Sequence, residues 1–138
     1  MRCYWRQQRR GEFDHEAVWG ALVLGALAAA RLFPFDRVPV WVCWFHRLSG
    51  LPCPGCGSTR AFVDLAHGRW TAGFALNPLA GALFLMSLCY VPYAAWVVIA
   101  HKPRLRATPM SPRERRTLFL ALIAIVFANW VYLVLVGR

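Results

Sequence analysis

The sequence predicts an all-α integral membrane protein: three transmembrane helices, plus a short interfacial amphipathic helix that follows a Cys-Pro-Gly-Cys-Gly turn. Three observations lead there. Of the 138 residues, 59% are apolar, more than the roughly 45–50% of soluble domains. Only 16% are charged, and these gather in short stretches between apolar runs. The runs themselves approach the ~20 residues needed to cross a bilayer core. At this length the chain is read as a single membrane domain, 1–138, with spans at about 17–35, 78–100 and 114–136 and an outer loop at 36–77.

The first span is rich in Ala, Leu and Gly. Asp14 and Glu16 stand at its start, where the helix dipole favours acids. Arg31 lies in its last turn, within reach of the headgroups. Acidic residues precede this run and bulky ones follow it, so it reads as a retained anchor, not a cleaved signal. The second span opens at Asn77-Pro78, an N-cap with proline at the first helical position. It contains Pro92, which should kink it. The third opens with Ser111-Pro112-Arg113-Glu114, a capping box. Asn129, inside that span, should face protein and not lipid. Cys3 and Cys89 read as inert thiols.

With three spans, the basic N-terminal tail shares a side with the loop carrying Lys102 to Arg116. Ten of the sixteen basic residues then lie on that side. The positive-inside bias makes it cytoplasmic, and puts the Cys53–Cys56 loop on the periplasmic side of a bacterial inner membrane. The formal charge of +10 thus points to anionic lipid headgroups as partners and away from nucleic acid, because the basic residues flank apolar runs. In the outer loop, Trp41, Trp44 and Trp70 suit an aromatic belt. Thr59 to His67 reads as the interfacial helix, ended by Gly68, with Phe62, Leu65 and Ala66 as its apolar side.

Chemistry concentrates at Cys53-Pro54-Gly55-Cys56-Gly57. Two thiols three residues apart can grip a metal, close a disulfide or lock a turn, and Gly57 supplies the positive φ such a turn needs. Cys43 and His46 complete a C-x2-H-x6-C-x2-C pattern, a soft ligand set for zinc or iron. A thiol pair ahead of a helix also suits redox work, and an outer location would let a disulfide persist. A structural turn, a metal knuckle and thiol redox all stay open. Arg60, Asp64 and His67 share one helical face. They can orient a ligand or bind an anion, but an i,i+4 ion pair between Arg60 and Asp64 on a solvated face is the simpler expectation.

The run Gly50-Leu51-Pro52-Cys53-Pro54-Gly55-Cys56-Gly57-Ser58-Thr59-Arg60-Ala61, with Gly68, Asn77-Pro78 and an upstream Cys43, resembles a bacterial family of small membrane proteins, domain of unknown function 2752. The resemblance covers about a third of the chain. It implies an integral membrane protein with an extracytoplasmic Cys motif, and implies no activity. His46 falls outside that pattern, which favours three cysteines with water, or ligands shared between two chains, over a four-ligand zinc site.

No nucleophile–base pair, nucleotide loop or intramembrane acid is present, so no catalytic residue is assigned. The sequence therefore points first to an accessory or scaffold subunit. Its cysteine-locked loop, with Pro54, Gly55, Gly57, Thr59, Arg60, Asn77 and Pro78 as framework, would dock onto a larger membrane protein or a second copy. A metal-binding or thiol–disulfide redox protein is the alternative.

Overall fold

A computed structural model describes residues 3–6, 14–33, 44–101, 103–107 and 110–137. The elements run β1 (Cys3–Arg6), α1 (His15–Leu32), α2 (Trp44–Ser49), α3 (Ser58–Ala66), α4 (Trp70–Leu76), α5 (Pro78–Ile99), β2 (Arg104–Ala107) and α6 (Pro112–Leu135). The protein is helical, as expected, apart from one antiparallel ribbon in which Cys3 faces Ala107 and Arg6 faces Arg104. No sequence signal predicts this pairing.

The helix starts follow their caps. Asp14 Oδ1 accepts the Ala17 N–H at 3.0 Å, and Asn77 Oδ1 accepts that of Ala80 at 3.0 Å. At α6 the Ser111 hydroxyl accepts the Glu114 N–H while the Glu114 carboxylate accepts the Ser111 N–H, a complete capping box. Each satisfies a donor that a helix N-terminus leaves without an intrahelical partner. Pro78 and Pro112 sit where a missing N–H costs nothing.

Among the described residues, two helices are long and apolar enough to cross a membrane. The most apolar 18-residue windows of Pro78–Ile99 and Pro112–Leu135 have mean hydropathy 2.0 and 2.5, yet only 17% and 11% of these windows are buried. A core helix of a soluble protein would be mostly buried. Here Leu83, Met86 and Trp96 of α5, and Phe119, Leu122, Ile123 and Phe127 of α6, are exposed. The expected third span, α1, does not reach this standard: its 18 residues include His15, Glu16 and Arg31.

The three long helices alternate in direction. The start of α1 lies against the end of α5, where a Cβ on Gly20 would come within 2.9 Å of that of Ala94. The start of α5 meets the end of α6, where Asn129 Oδ1 accepts the Leu79 N–H at 3.0 Å. The ribbon joins the residues before α1 to those after α5. The N-terminal strand and the α5–α6 connection therefore share one end, and the Cys53–Cys56 turn lies at the other.

The short helices form a corner at that second end. α3 packs on α1, α4 and α5, burying Ala61, Val63 and Leu65. This differs from the expected apolar side of Phe62, Leu65 and Ala66, because neighbours cover α3 from more than one direction. α4 was not expected from the sequence; Gly73 admits it, since a Cβ there would sit 2.5 Å from Leu65 Cγ and 3.1 Å from the Ala61 carbonyl oxygen. Phe84 of α5, 3% exposed, meets Phe62 and Trp70 edge-on at centroid distances of 5.5 and 6.1 Å, a favoured aromatic geometry. Trp70 thus belongs to this corner, while Trp41 lies outside the described residues.

Candidate functional site: a clamped cysteine turn

The Cys-Pro-Gly-Cys segment folds into two overlapping turns. Cys53 C=O accepts the Cys56 N–H at 2.9 Å, and Gly55 C=O accepts the Ser58 N–H at 3.1 Å. Gly57 then adopts φ +77°, the left-handed conformation expected of it. Its carbonyl accepts the Ala61 N–H at 2.8 Å, opening α3. A side chain at position 57 would also come within 3.5 Å of the Leu76 carbonyl oxygen.

The remaining carbonyls of the turn are taken from outside it. Trp130 Nε1–H donates to Pro52 O at 2.8 Å. Asn129 Nδ2 donates to Pro54 O at 3.2 Å. Asn77 Nδ2 donates to Cys56 O at 3.0 Å and to Ser58 Oγ at 3.2 Å. Every carbonyl from Pro52 to Gly57 therefore has a donor, alternating between the turn's own backbone and side chains of α6 or the α5 cap. Buried carbonyls without partners are costly, so this pattern holds the loop in one conformation.

The two asparagines act in both directions. Asn77, 1% exposed, caps α5 with its oxygen and holds the turn with its nitrogen. Asn129, 7% exposed, accepts from Leu79 and donates to Pro54. The expectation that Asn129 faces protein is met. Among the described residues, no buried side-chain nitrogen or oxygen lacks a partner. Tyr132 adds a bond to the Ala75 carbonyl at 2.9 Å, tying α6 to the end of α4.

Cys53 and Cys56 are half-buried and are not bonded to each other. Cys56 lies beside the Asn77 clamp, and Pro54, Gly55, Thr59 and Arg60 are exposed around it. His46 falls within α2, but its side chain, like Cys43, lies outside the described residues. Among the described residues, no three His, Cys, Asp or Glu side chains gather as a metal site. The turn can offer two thiols on a fixed frame, a geometry suited to a soft metal, to thiol exchange or to recognition by a partner surface.

The polar face on α3 is rearranged relative to expectation. Asp64 pairs with Arg69 and not with Arg60: Nε and Nη2 of Arg69 reach Asp64 Oδ1 at 2.9 and 2.5 Å. The Arg69 N–H also binds Asp64 C=O at 2.8 Å, because Gly68 at φ +78° turns the chain back on α3. His67 Nδ1 lies 2.8 Å from the Val63 carbonyl. These residues close the helix end and do not converge with the cysteines. Sequence reasoning flagged Asn77 and Asn129 but missed Trp130, Tyr132 and Arg69. An indole one residue from a buried asparagine was the available signal for the first.

The fold and site define a small helical protein with two membrane-length helices joined through a clamped cysteine turn. Residues 43–91 match the model of a protein family of unknown function, DUF2752, in agreement with the resemblance read from the sequence. The matched stretch runs from Cys43 through the turn and the α3–α4 corner into α5. No curated protein matches the chain. No solved structure matches it either.

Proposed function

We propose that this is an integral membrane accessory protein of the bacterial inner membrane whose cysteine turn is a docking element. One observation carries the reading: Asn77, Asn129 and Trp130 hold the carbonyls of Cys56, Pro54 and Pro52. The turn is thereby rigidly presented between α5 and α6, and pre-organised surfaces bind without an ordering cost. Thr59, Arg60, Pro54 and Gly55 form its exposed rim. α1 serves as the third span, its 18 residues accommodated by local thinning and by Arg31 reaching the interface. The basic end is cytoplasmic and the turn periplasmic. The partner is a larger membrane protein or a second copy of the chain.

Affinity purification in mild detergent tests this. The wild type should recover a stoichiometric partner, and Asn129→Ala should recover much less. A lone monomer in several detergents would defeat the reading. For the orientation, impermeant maleimide should label Cys56 on intact spheroplasts.

A second reading is favoured by a specific feature. Cys53 and Cys56 place two half-buried sulfurs, both soft donors, on a turn whose carbonyls fix its shape. Cys53 and Cys56, completed by Cys43 and by His46 or water, would hold zinc or iron, or would exchange thiols with a partner protein. Elemental analysis of wild type, Cys53→Ser and Cys56→Ser separates these branches. Stoichiometric metal lost in both variants supports the centre. Absence of metal together with a reductant-sensitive mass change of two protons supports the disulfide.

A further inference from the structure

The bonds that hold the cysteine turn also hold α6. Every residue from Pro112 to Ala128 is exposed, and burial begins only at Asn129. Among the described residues, the side chains that bond α6 to the rest of the protein come from its last two turns. Asn129 reaches the Leu79 N–H and Pro54 O, Trp130 reaches Pro52 O, and Tyr132 reaches Ala75 O.

Two of these four bonds end on the carbonyls either side of Cys53, those of Pro52 and Pro54. The Cys53 carbonyl itself accepts the Cys56 N–H at 2.9 Å, which sets the two cysteines at the first and fourth positions of a turn. Such a turn keeps its end Cα atoms within about 7 Å, close to the reach of a disulfide. With the sulfurs unlinked, the backbone between them points the carbonyls of Pro52, Pro54 and Cys56 at their side-chain donors. A Cys53–Cys56 disulfide closes a small ring through the sulfurs, and the ring then sets those backbone angles instead. An N–H···O bond weakens steeply as it bends, and packed seams switch between arrangements more readily than they deform.

We propose that α6 is the output arm of a thiol switch: a disulfide between Cys53 and Cys56 releases Asn129 and Trp130 from the turn, and α6 then tilts. The inference rests on the thiol–disulfide reading of the turn given above. In the exchange, the thiolate of one cysteine attacks a disulfide of a partner protein, and the other cysteine displaces the mixed disulfide. The S–S bond forms within the turn, and the partner leaves as its dithiol with the two electrons and two protons. Thr117 lies about 18 Å along the helix from Asn129, so a tilt of about 10° moves it by about 3 Å. The state of the sulfurs at one end of the protein is thereby read at the other, where β1 pairs with β2. The coupling runs both ways, so an undocked α6 makes the disulfide easier to form.

The test uses the full chain in lipid nanodiscs, equilibrated against mixtures of oxidised and reduced dithiothreitol, with the linked cysteines identified by peptide mass spectrometry. Spin labels carried on ketone side chains in place of Ile99 and Thr117 report the distance between α5 and α6 in each state. On oxidation the wild-type distance should broaden and shift by about 3 Å. The combined variant Asn129→Ala, Trp130→Phe should form the disulfide about tenfold more readily, a potential lower by ~30 mV. Its distance should already be broad with the thiols reduced. Trp130→Phe alone should fall between the wild type and the combined variant. Tyr132→Phe loses a bond of α6 that does not touch the turn, so its potential should match the wild type, which separates a switch from general loosening of α6. Equal potentials in the wild type and the combined variant, a distance unmoved by oxidation, or an equal shift in Tyr132→Phe each overturns the proposal and leaves the thiol–disulfide reading standing. Failure of Cys53 to join Cys56 at any potential rejects that reading as well.

Discussion

The α3–α4–α5 corner and α6 are held to the protein by different forces. In the corner, Ala61, Val63, Leu65, Ala80 and Phe84 are buried, and glycines let the backbones close. Besides Gly73, a Cβ on Gly81 would lie 2.5 Å from the Phe74 ring. α6 buries only Asn129 and Leu133 among its residues. Its attachment runs through Asn129, Trp130 and Tyr132 to Leu79, Pro54, Pro52 and Ala75. In water, a 24-residue helix this apolar would have to bury a broad stripe. In lipid, apolar contact carries no such driving force, and polar side chains and close packing of small residues do the joining. The contrast is what a helix in a bilayer should show, and it locates the cysteine turn at the seam between the two regimes.

The largest blow to the corner should come from Gly73→Val. Its Cβ cannot avoid Leu65 Cγ at 2.5 Å, and overpacking of this kind should lower stability by about 3 kcal/mol, read as a lower melting temperature in detergent. Asn77→Ala strikes the seam from the α5 side. It removes the cap on Ala80 and the donors to Cys56 O and Ser58 Oγ, and should cost about 2 kcal/mol. Alkylation of Cys56 should accelerate in the same variant.

Asn129→Ala sharpens the comparison from the α6 side. Hydrogen bonds between membrane helices contribute about 1 kcal/mol, so stability should fall by that order. Cys56 alkylation should rise while protection of α3 and α4 amides from hydrogen exchange stays unchanged. Loss of protection throughout the corner would mean that the two regions form one cooperative unit. Ser111→Ala at the exposed start of α6 should have the smallest effect, about 0.5 kcal/mol for a lost cap, with no change at the cysteine turn. A larger loss there would show that α6 depends on its first turn and not on its bonds to the turn and to α4.

The elements that were legible in the sequence are those whose causes lie within a few residues. Length and apolar content marked α5 and α6. Asn77-Pro78 and Ser111-Pro112-Arg113-Glu114 marked their starts, and each cap makes the bond its spacing implies. Gly57 and Gly68 marked the two ends of α3, and both adopt positive φ. The ion pair was misassigned because an i,i+4 rule assumes a helix that continues. Gly68 ends it and brings Arg69 to Asp64 instead.

Local chemistry by itself determined that this chain would make long apolar helices, would cap them at those sites and would fold its two close cysteines into a tight turn. Periodicity, N-caps and glycine conformations act over three to five residues, so they are written in the sequence. Only the tertiary structure decided what holds that turn. Its donors come from Asn77 and from Asn129 and Trp130, residues 75 and 78 positions from the carbonyls they bind. It likewise decided that β1 would pair with β2 and that Gly73 would admit α4 against α3. Such partners are chosen by the directions in which whole helices run, and a hydrogen bond of a few ångströms forms only after those directions are set.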